Sequence, residues 1–287
     1  MLIDTHAHLD YPEFAGHIAQ TLQRAQDAGV EKVITIGTGI ESSRRAVELA
    51  EEFPQVHAVV GVHPTSIPDG LEAGQAVAAL RELAAHPRVA AIGETGLDYH
   101  RLPGQKIRKG EVDVPEALGA SSSAEMQADI MDDAYQARQA EFFHAQLELA
   151  ADLGLNVVVH QRDAWDDTQE LLQPFDGRLR GVFHCFSNEP EQAGELVARG
   201  HLVSFTGIVT FKNARNVQET ARAVAADSYM VETDCPYLAP EPHRGATCEP
   251  AHTRLVAEAI ASLRGGTLDE VAQATTATAH AFFRLDG

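Results

Sequence analysis

Leu2-Ile3-Asp4-Thr5-His6-Ala7-His8 starts as an apolar run and ends in two imidazoles, and four later stretches repeat that plan. They are Val89-Ala90-Ala91-Ile92-Gly93-Glu94, Asn156-Val157-Val158-Val159-His160, Gly181-Val182-Phe183-His184 and Tyr229-Met230-Val231-Glu232-Thr233-Asp234. A short apolar run of this kind reads as a buried strand. One ligand at the end of one strand says little. Strands that each deliver a ligand at the C-terminal end can converge on one point when the chain alternates strand and helix. In a (β/α)8 barrel that point is the active-site face.

Working outward, eight strands are expected at 2–8, 32–37, 56–62, 89–94, 156–160, 181–186, 202–206 and 229–234. Helical spacing of apolar residues fills the gaps, as in 19–28, 43–53, 76–85 and 142–153. Such alternation implies parallel strands joined by right-handed crossovers. The expected fold is therefore an α/β, TIM-like (β/α)8 barrel, with residues 1–287 as one domain. An open doubly wound sheet is the alternative, but no glycine fingerprint follows the first strand. One stretch breaks the rhythm. About 100–134, after strand four, carries Pro103, Gly104, Pro115, Gly119 and the tract Ala120-Ser121-Ser122-Ser123. It is far longer than an ordinary βα loop. It reads as an insertion at the ligand face, either without a role or as a lid that selects substrate.

The 287 residues suit one barrel plus an insertion, and 44% are apolar, enough for a sizeable core. Against 42 acidic residues stand 22 basic ones, for a formal charge of −20. That argues against a broad basic groove for nucleic acid, although bound cations would reverse the field locally. No apolar stretch nears the ~20 residues that cross a bilayer, and no secretory signal opens the chain. Cys185, Cys235 and Cys248 form no paired motif and leave an odd count. The expected location is the cytoplasm, without membrane association.

His6 and His8 are two residues apart on a strand, so they face the same way and can share a cation. Asp4 lies on that face one layer deeper, in a supporting role. Glu94 would be a costly buried carboxylate unless paired or metal-bound, and its two oxygens can bridge two cations. Singly, His160 and His184 would read as hydrogen-bonded core histidines; jointly they supply the second cation. Asp234 ends the eighth strand, next to the first in a closed barrel. It can ligate the first cation and accept a proton from attacking water. His63, in Gly61-Val62-His63-Pro64, and Tyr99, after Gly96-Leu97-Asp98, are candidates for substrate contact. Arg244, in Pro242-His243-Arg244-Gly245, is the candidate anion clamp. Strand alternation turns Cys185 and Cys235 away from the site.

Several of these segments together resemble the TatD family of metal-dependent hydrolases. They are Asp4-Thr5-His6-Ala7-His8-Leu9, Gly61-Val62-His63-Pro64, Gly93-Glu94-Thr95-Gly96-Leu97-Asp98-Tyr99, His184-Cys185-Phe186-Ser187 and 232–240 from Glu232 to Pro240. The resemblance spans the chain. It implies one metal on His6, His8, Glu94 and Asp234, and another on Glu94, His160 and His184. It also implies phosphoester hydrolysis, often of DNA, with two divalent ions such as Zn, Mn or Mg. The chain departs from the family in the length of the stretch from His100 to about Met131. It departs again after Arg244-Gly245, where the usual Lys and Asn are missing.

The leading expectation is thus a deoxyribonuclease acting on DNA or another phosphodiester. An amidohydrolase, lactonase or aminoacyl-tRNA deacylase would use the same metals on a carbonyl. A metal-binding regulatory protein without turnover is the alternative of another class. Structural zinc sites, however, are closed and rich in cysteine.

Overall fold

The computed structural model describes residues 1–109 and 123–285. Eight parallel strands follow one another in spatial order β1 to β8. They are β1 Leu2–Ala7, β2 Val30–Ile36, β3 Val56–Val60, β4 Val89–Asp98, β5 Asn156–Arg162, β6 Gly181–Phe183, β7 Leu202–Phe205 and β8 Tyr229–Val231. The helices are α1 Ile18–Asp27, α2 Ile40–Glu52, α3 Ala73–Ala84, α4 Gly104–Arg108 and α5 Ala124–Leu153. They continue with α6 Trp165–Leu172, α7 Pro190–Ala198, α8 Arg215–Ala223, α9 Thr253–Arg264 and α10 Leu268–Phe283. The result is the expected TIM-like barrel.

The seam between β8 and β1 is closed just past the end of β8. Asp234 N–H donates to the His6 carbonyl at 2.9 Å, and His8 N–H donates to the Cys235 carbonyl at 2.9 Å. Buried Asp4 reinforces the seam by accepting from the Thr233 N–H at 2.9 Å and its hydroxyl at 2.7 Å. These bonds bring Asp234 beside His6 and His8.

Inside the barrel, Ile3, Ile34, Val59, Val158, Val182, Leu202 and Met230 form an apolar layer. Phe282 and Phe283 at the end of α10 belong to the same cluster. The Phe282 carbonyl accepts from Asn156, at the start of β5. Hence α10 plugs the end of the barrel where strands begin. A larger cluster fills the space between strands and outer helices.

Two elements outrun their expected limits the furthest. β4 continues through Thr95 to Asp98, paired with Val159 to Arg162 of β5, after a register irregularity between Ile92 and Thr95. Gly93 and Gly96 allow it: both have φ near +145°, at +144° and +146°. A Cβ at Gly93 would lie 2.7 Å from the Val158 carbonyl oxygen, and one at Gly96 would collide with the His160 backbone. The irregularity aims Glu94 into the barrel. The second element is α5, which begins at Ala124 and so takes in the last part of the expected 100–134 insertion. Ser123 caps it by accepting from Met126 N–H. Asp132 ties α5 to α4, accepting from Gly104 N–H at 2.7 Å and from Arg108 at 2.7 Å. Residues 110–122 of the expected insertion lie outside the described residues.

Candidate metal centre

Glu94 sits at the middle of the C-terminal end of the barrel, with 3% of its side chain exposed. Its two oxygens face two different sets of imidazoles. Oε2 lies 3.3 Å from His6 Nε2 and 4.0 Å from His8 Nε2. Oε1 lies 2.6 Å from His184 Nε2, 2.8 Å from His160 Nδ1 and 3.5 Å from His63 Nε2. Burial alone would raise the Glu94 carboxyl. The imidazoles of His184, His63 and His6 override it and hold the group well below the ordinary carboxylate range.

Asp234 completes the first set: Oδ1 lies 3.3 Å from His8 Nε2 and 3.7 Å from His6 Nε2. Burial would raise this carboxyl too, but the hydrogen bond with His8 and the charges of His6 and His184 lower it. The strand ends explain the placement. His6, Glu94 and His160 are still on β1, β4 and β5, while His8, His184 and Asp234 come within three residues of their strands' ends.

The far nitrogen of two rings is occupied, which leaves the near one as the candidate ligand atom. His8 Nδ1 is 3.2 Å from the Ile36 carbonyl, so Nδ1 carries the hydrogen and Nε2 is left with its lone pair. His160 Nε2 is 3.0 Å from Asp98 Oδ2, which leaves Nδ1 toward Glu94. His184 Nδ1 faces Glu232 Oε1 at 3.7 Å, an ion-pair distance without a hydrogen bond. Glu232 is itself fixed by the Cys185 N–H at 2.7 Å and the Ser204 hydroxyl at 2.6 Å. His63 differs. Its Nδ1 accepts from Thr65 N–H at 3.1 Å, so a neutral ring carries its hydrogen on Nε2 and can donate there but not ligate.

Three groups of donor atoms lie close enough together to hold cations among the described residues: His6, His8 and Asp234; His6, His184 and Glu232; and His63, Glu94 and His160, the last by distance only, since the Thr65 bond leaves His63 a donor. The site also has an orphaned atom that a cation would satisfy. His6 Nε2, which faces Glu94 and Asp234, is buried without a hydrogen-bond partner despite those carboxylates. Buried polar atoms are rarely left so. Imidazole and carboxylate donors suit first-row divalent metals.

The other expected contacts divide. His63 lines the cavity above Glu94, about 780 Å³ in volume. Tyr99 does not line it; its hydroxyl donates to Asp167 at 2.8 Å. Arg244 does not line it either, and its guanidinium stacks 4.1 Å from the Phe211 ring centroid. Cys185, expected to turn away, does line the cavity. β6 ends at Phe183, and Cys185 has a φ of +48°, so strand alternation no longer governs it. Burial pushes its thiol up to about 12, which leaves it protonated and a poor nucleophile. The roles of Asp98 and Glu232 were missed. Both sit two residues from a ligand or its neighbour on the same face, Glu232 below Asp234 and Asp98 two beyond Gly96, and that spacing could have flagged them.

A family model described as TatD related DNase matches residues 3–284. The chain belongs to the TatD family. Among curated TatD relatives, it is 34% identical to the uncharacterized metal-dependent hydrolase YabD of Bacillus subtilis, covering 100% of both chains. It is 31% identical to the 3'-5' ssDNA/RNA exonuclease TatD of Shigella flexneri, covering 99% of each. Among solved structures, the TatD homolog YJJV of Escherichia coli superposes with a TM-score of 0.82 at 28% identity, covering 99% of this chain and 98% of that one. TatD membership makes this chain a metal-dependent hydrolase. No helix among its described residues is long and apolar enough to cross a membrane.

Proposed function

We propose that this TatD protein hydrolyses phosphodiester bonds in DNA, using two divalent cations that share Glu94. The observation that carries the reading is the division of Glu94: one oxygen toward His6 and His8, the other toward His160 and His184. His6, His8 and Asp234 would hold one cation, and His160 and His184 the other. Bound divalent cations lower the pKa of water toward neutrality and offset charge on phosphoryl oxygens. Zn, Mn and Mg are the candidate ions.

The protein's own groups then have defined tasks. Asp234 is ionised and lines the cavity, so it can take the proton of the water that attacks phosphorus. As the phosphorus–oxygen bond breaks, that proton is available to the leaving sugar oxygen. His63, hydrogen-bearing at Nε2, can donate to a phosphoryl oxygen. Asp98 and Glu232 orient His160 and His184. The three cysteines are unpaired, which suits the reducing cytoplasm we assign.

The test is hydrolysis of single-stranded DNA and bis(p-nitrophenyl) phosphate, beside a panel of lactones, with and without chelator. Metal-dependent cleavage of the phosphodiesters is the expected result. Lactone turnover with no phosphodiester cleavage would replace this reading with a carbonyl hydrolase.

A further inference from the structure

Among the described residues, the only Lys or Arg side chains that line the cavity are Arg101 and Arg162. Arg101 follows β4 by three residues, and Arg162 is the last residue of β5. Both are exposed to the cavity's solvent, and neither makes a side-chain hydrogen bond or ion pair among the described residues. Two guanidiniums without a side-chain hydrogen bond or ion pair among the described residues thus share one cavity, with Arg162 near enough to Asp98 to help lower its carboxyl. Several of the protein's arginines are held by carboxylates, Arg24, Arg81, Arg108, Arg199 and Arg254 among them.

The opposite wall has another character. Tyr11 follows β1 and Tyr237 follows β8, and both line the cavity. Tyr11 stacks on His8 at 4.9 Å and 23°. Tyr237 meets Tyr11 edge-on at 6.0 Å and is 53% exposed, so a ring face is left open. In a barrel of eight strands in sequential order, β4 and β5 lie four strands away from β8 and β1. The arginines and the tyrosines therefore face each other across Glu94.

We propose that the cavity orients a nucleic-acid strand. Arg101 and Arg162 take a non-scissile phosphate beside the reacting one, and Tyr237 stacks a base on the far side. This rests on the phosphodiesterase reading above. Guanidinium forks match phosphate oxygens, and a base has a π-face that an open tyrosine ring can cover. A substrate with neither feature would forgo both contacts.

The experiment compares ratios within each variant of the metal-loaded, full-length protein. Substrates are a thymidine dinucleotide without a terminal phosphate, the same dinucleotide phosphorylated at either end, and an abasic analogue. In the wild type, a terminal phosphate at one end should lower KM about tenfold, the size of a charge-assisted contact. The R101A/R162A variant should lose that gain, bringing the ratio to about one. Arg44→Ala, which removes one positive charge from the outer face of α2, should keep it. Tyr237→Ala should shrink the preference for base-bearing over abasic substrate by about tenfold.

A terminal phosphate that brings no gain at either end, or a gain that survives in R101A/R162A, overturns the clamp. An unchanged base preference in Tyr237→Ala overturns the stacking wall. If no dinucleotide is cleaved at all, the phosphodiesterase reading fails separately. Calorimetric binding of thymidine 3′,5′-bisphosphate then reads the clamp by itself: weaker binding by R101A/R162A upholds it, and equal binding sinks it.

Discussion

At the end where strands begin, Ile3, Val182, Leu202 and Met230 meet Phe282 and Phe283 of α10 in a wholly apolar plug. At the end where strands finish, the same sheet presents His6, Glu94, His160 and, just past β6 and β8, His184 and Asp234. The first end buries chiefly apolar side chains. The second buries ionisable groups and leaves three ring nitrogens without a hydrogen-bond partner. The contrast teaches where each end spends its free energy. The plug stabilises the barrel by removing apolar surface from water, and the ligand end gives up stability to keep donors ready for cations.

The sharpest way to break this contrast is at Asp234. Asp234→Asn keeps an oxygen for the cation but cannot take a proton. Its turnover of bis(p-nitrophenyl) phosphate should fall about 10²–10⁴-fold, with most of the metal retained by mass spectrometry. Near wild-type turnover with full metal would show that no protein base is needed.

Phe283→Ala tests the other end. Truncating a fully buried aromatic typically costs about 3–5 kcal/mol, and urea unfolding should show a loss of that order. The folded fraction should keep its metal content and KM. A variant that lost metal in proportion to stability would mean that the two ends are not independent.

Asp4 offers the smallest and finest test, because it lies between the ends. Burial pushes its carboxyl up to about 8, against the lowering effect of the bonds from Thr233 and His6. A raised folded value means that its contribution to stability is whole below the ordinary 3.8 and is lost as pH rises through about 8. Asp4→Asn can accept from both backbone N–H groups with its carbonyl and has nothing to ionise. Measured by urea unfolding of metal-free protein, the variant should gain on the wild type between pH 5 and pH 8. A difference that stays flat with pH would show that Asp4 is not held as an acid.

Much of the fold was legible because strand ends carry the ligands. An apolar run that stops at a histidine or carboxylate marks both a strand and its face, and β1, β4, β5, β6 and β8 all do so. The hidden parts have physical reasons. The first turns of α5 present Gln127, Ala128 and Asp132 to the interior, and Asp132 is buried through bonds to Gly104 and Arg108. No apolar stripe announces a helix held that way. Cys185 was misplaced because alternation was extended past the end of β6 into a residue with positive φ. Arg101 and Arg162 carry no local pattern, and only the closed barrel shows that they share a cavity with Glu94.

The central claim is that Glu94 joins two cation positions. Metal-to-protein ratios by mass spectrometry test it most directly, on wild type, His8→Ala, His184→Ala and Glu94→Ala loaded with the same metal. The wild type should hold about two ions, as a two-metal hydrolase does. Each histidine variant should fall toward one, and Glu94→Ala should lose occupancy at both positions. A Glu94→Ala protein that kept the full wild-type ratio would contradict the bridge, and with it the division of the site.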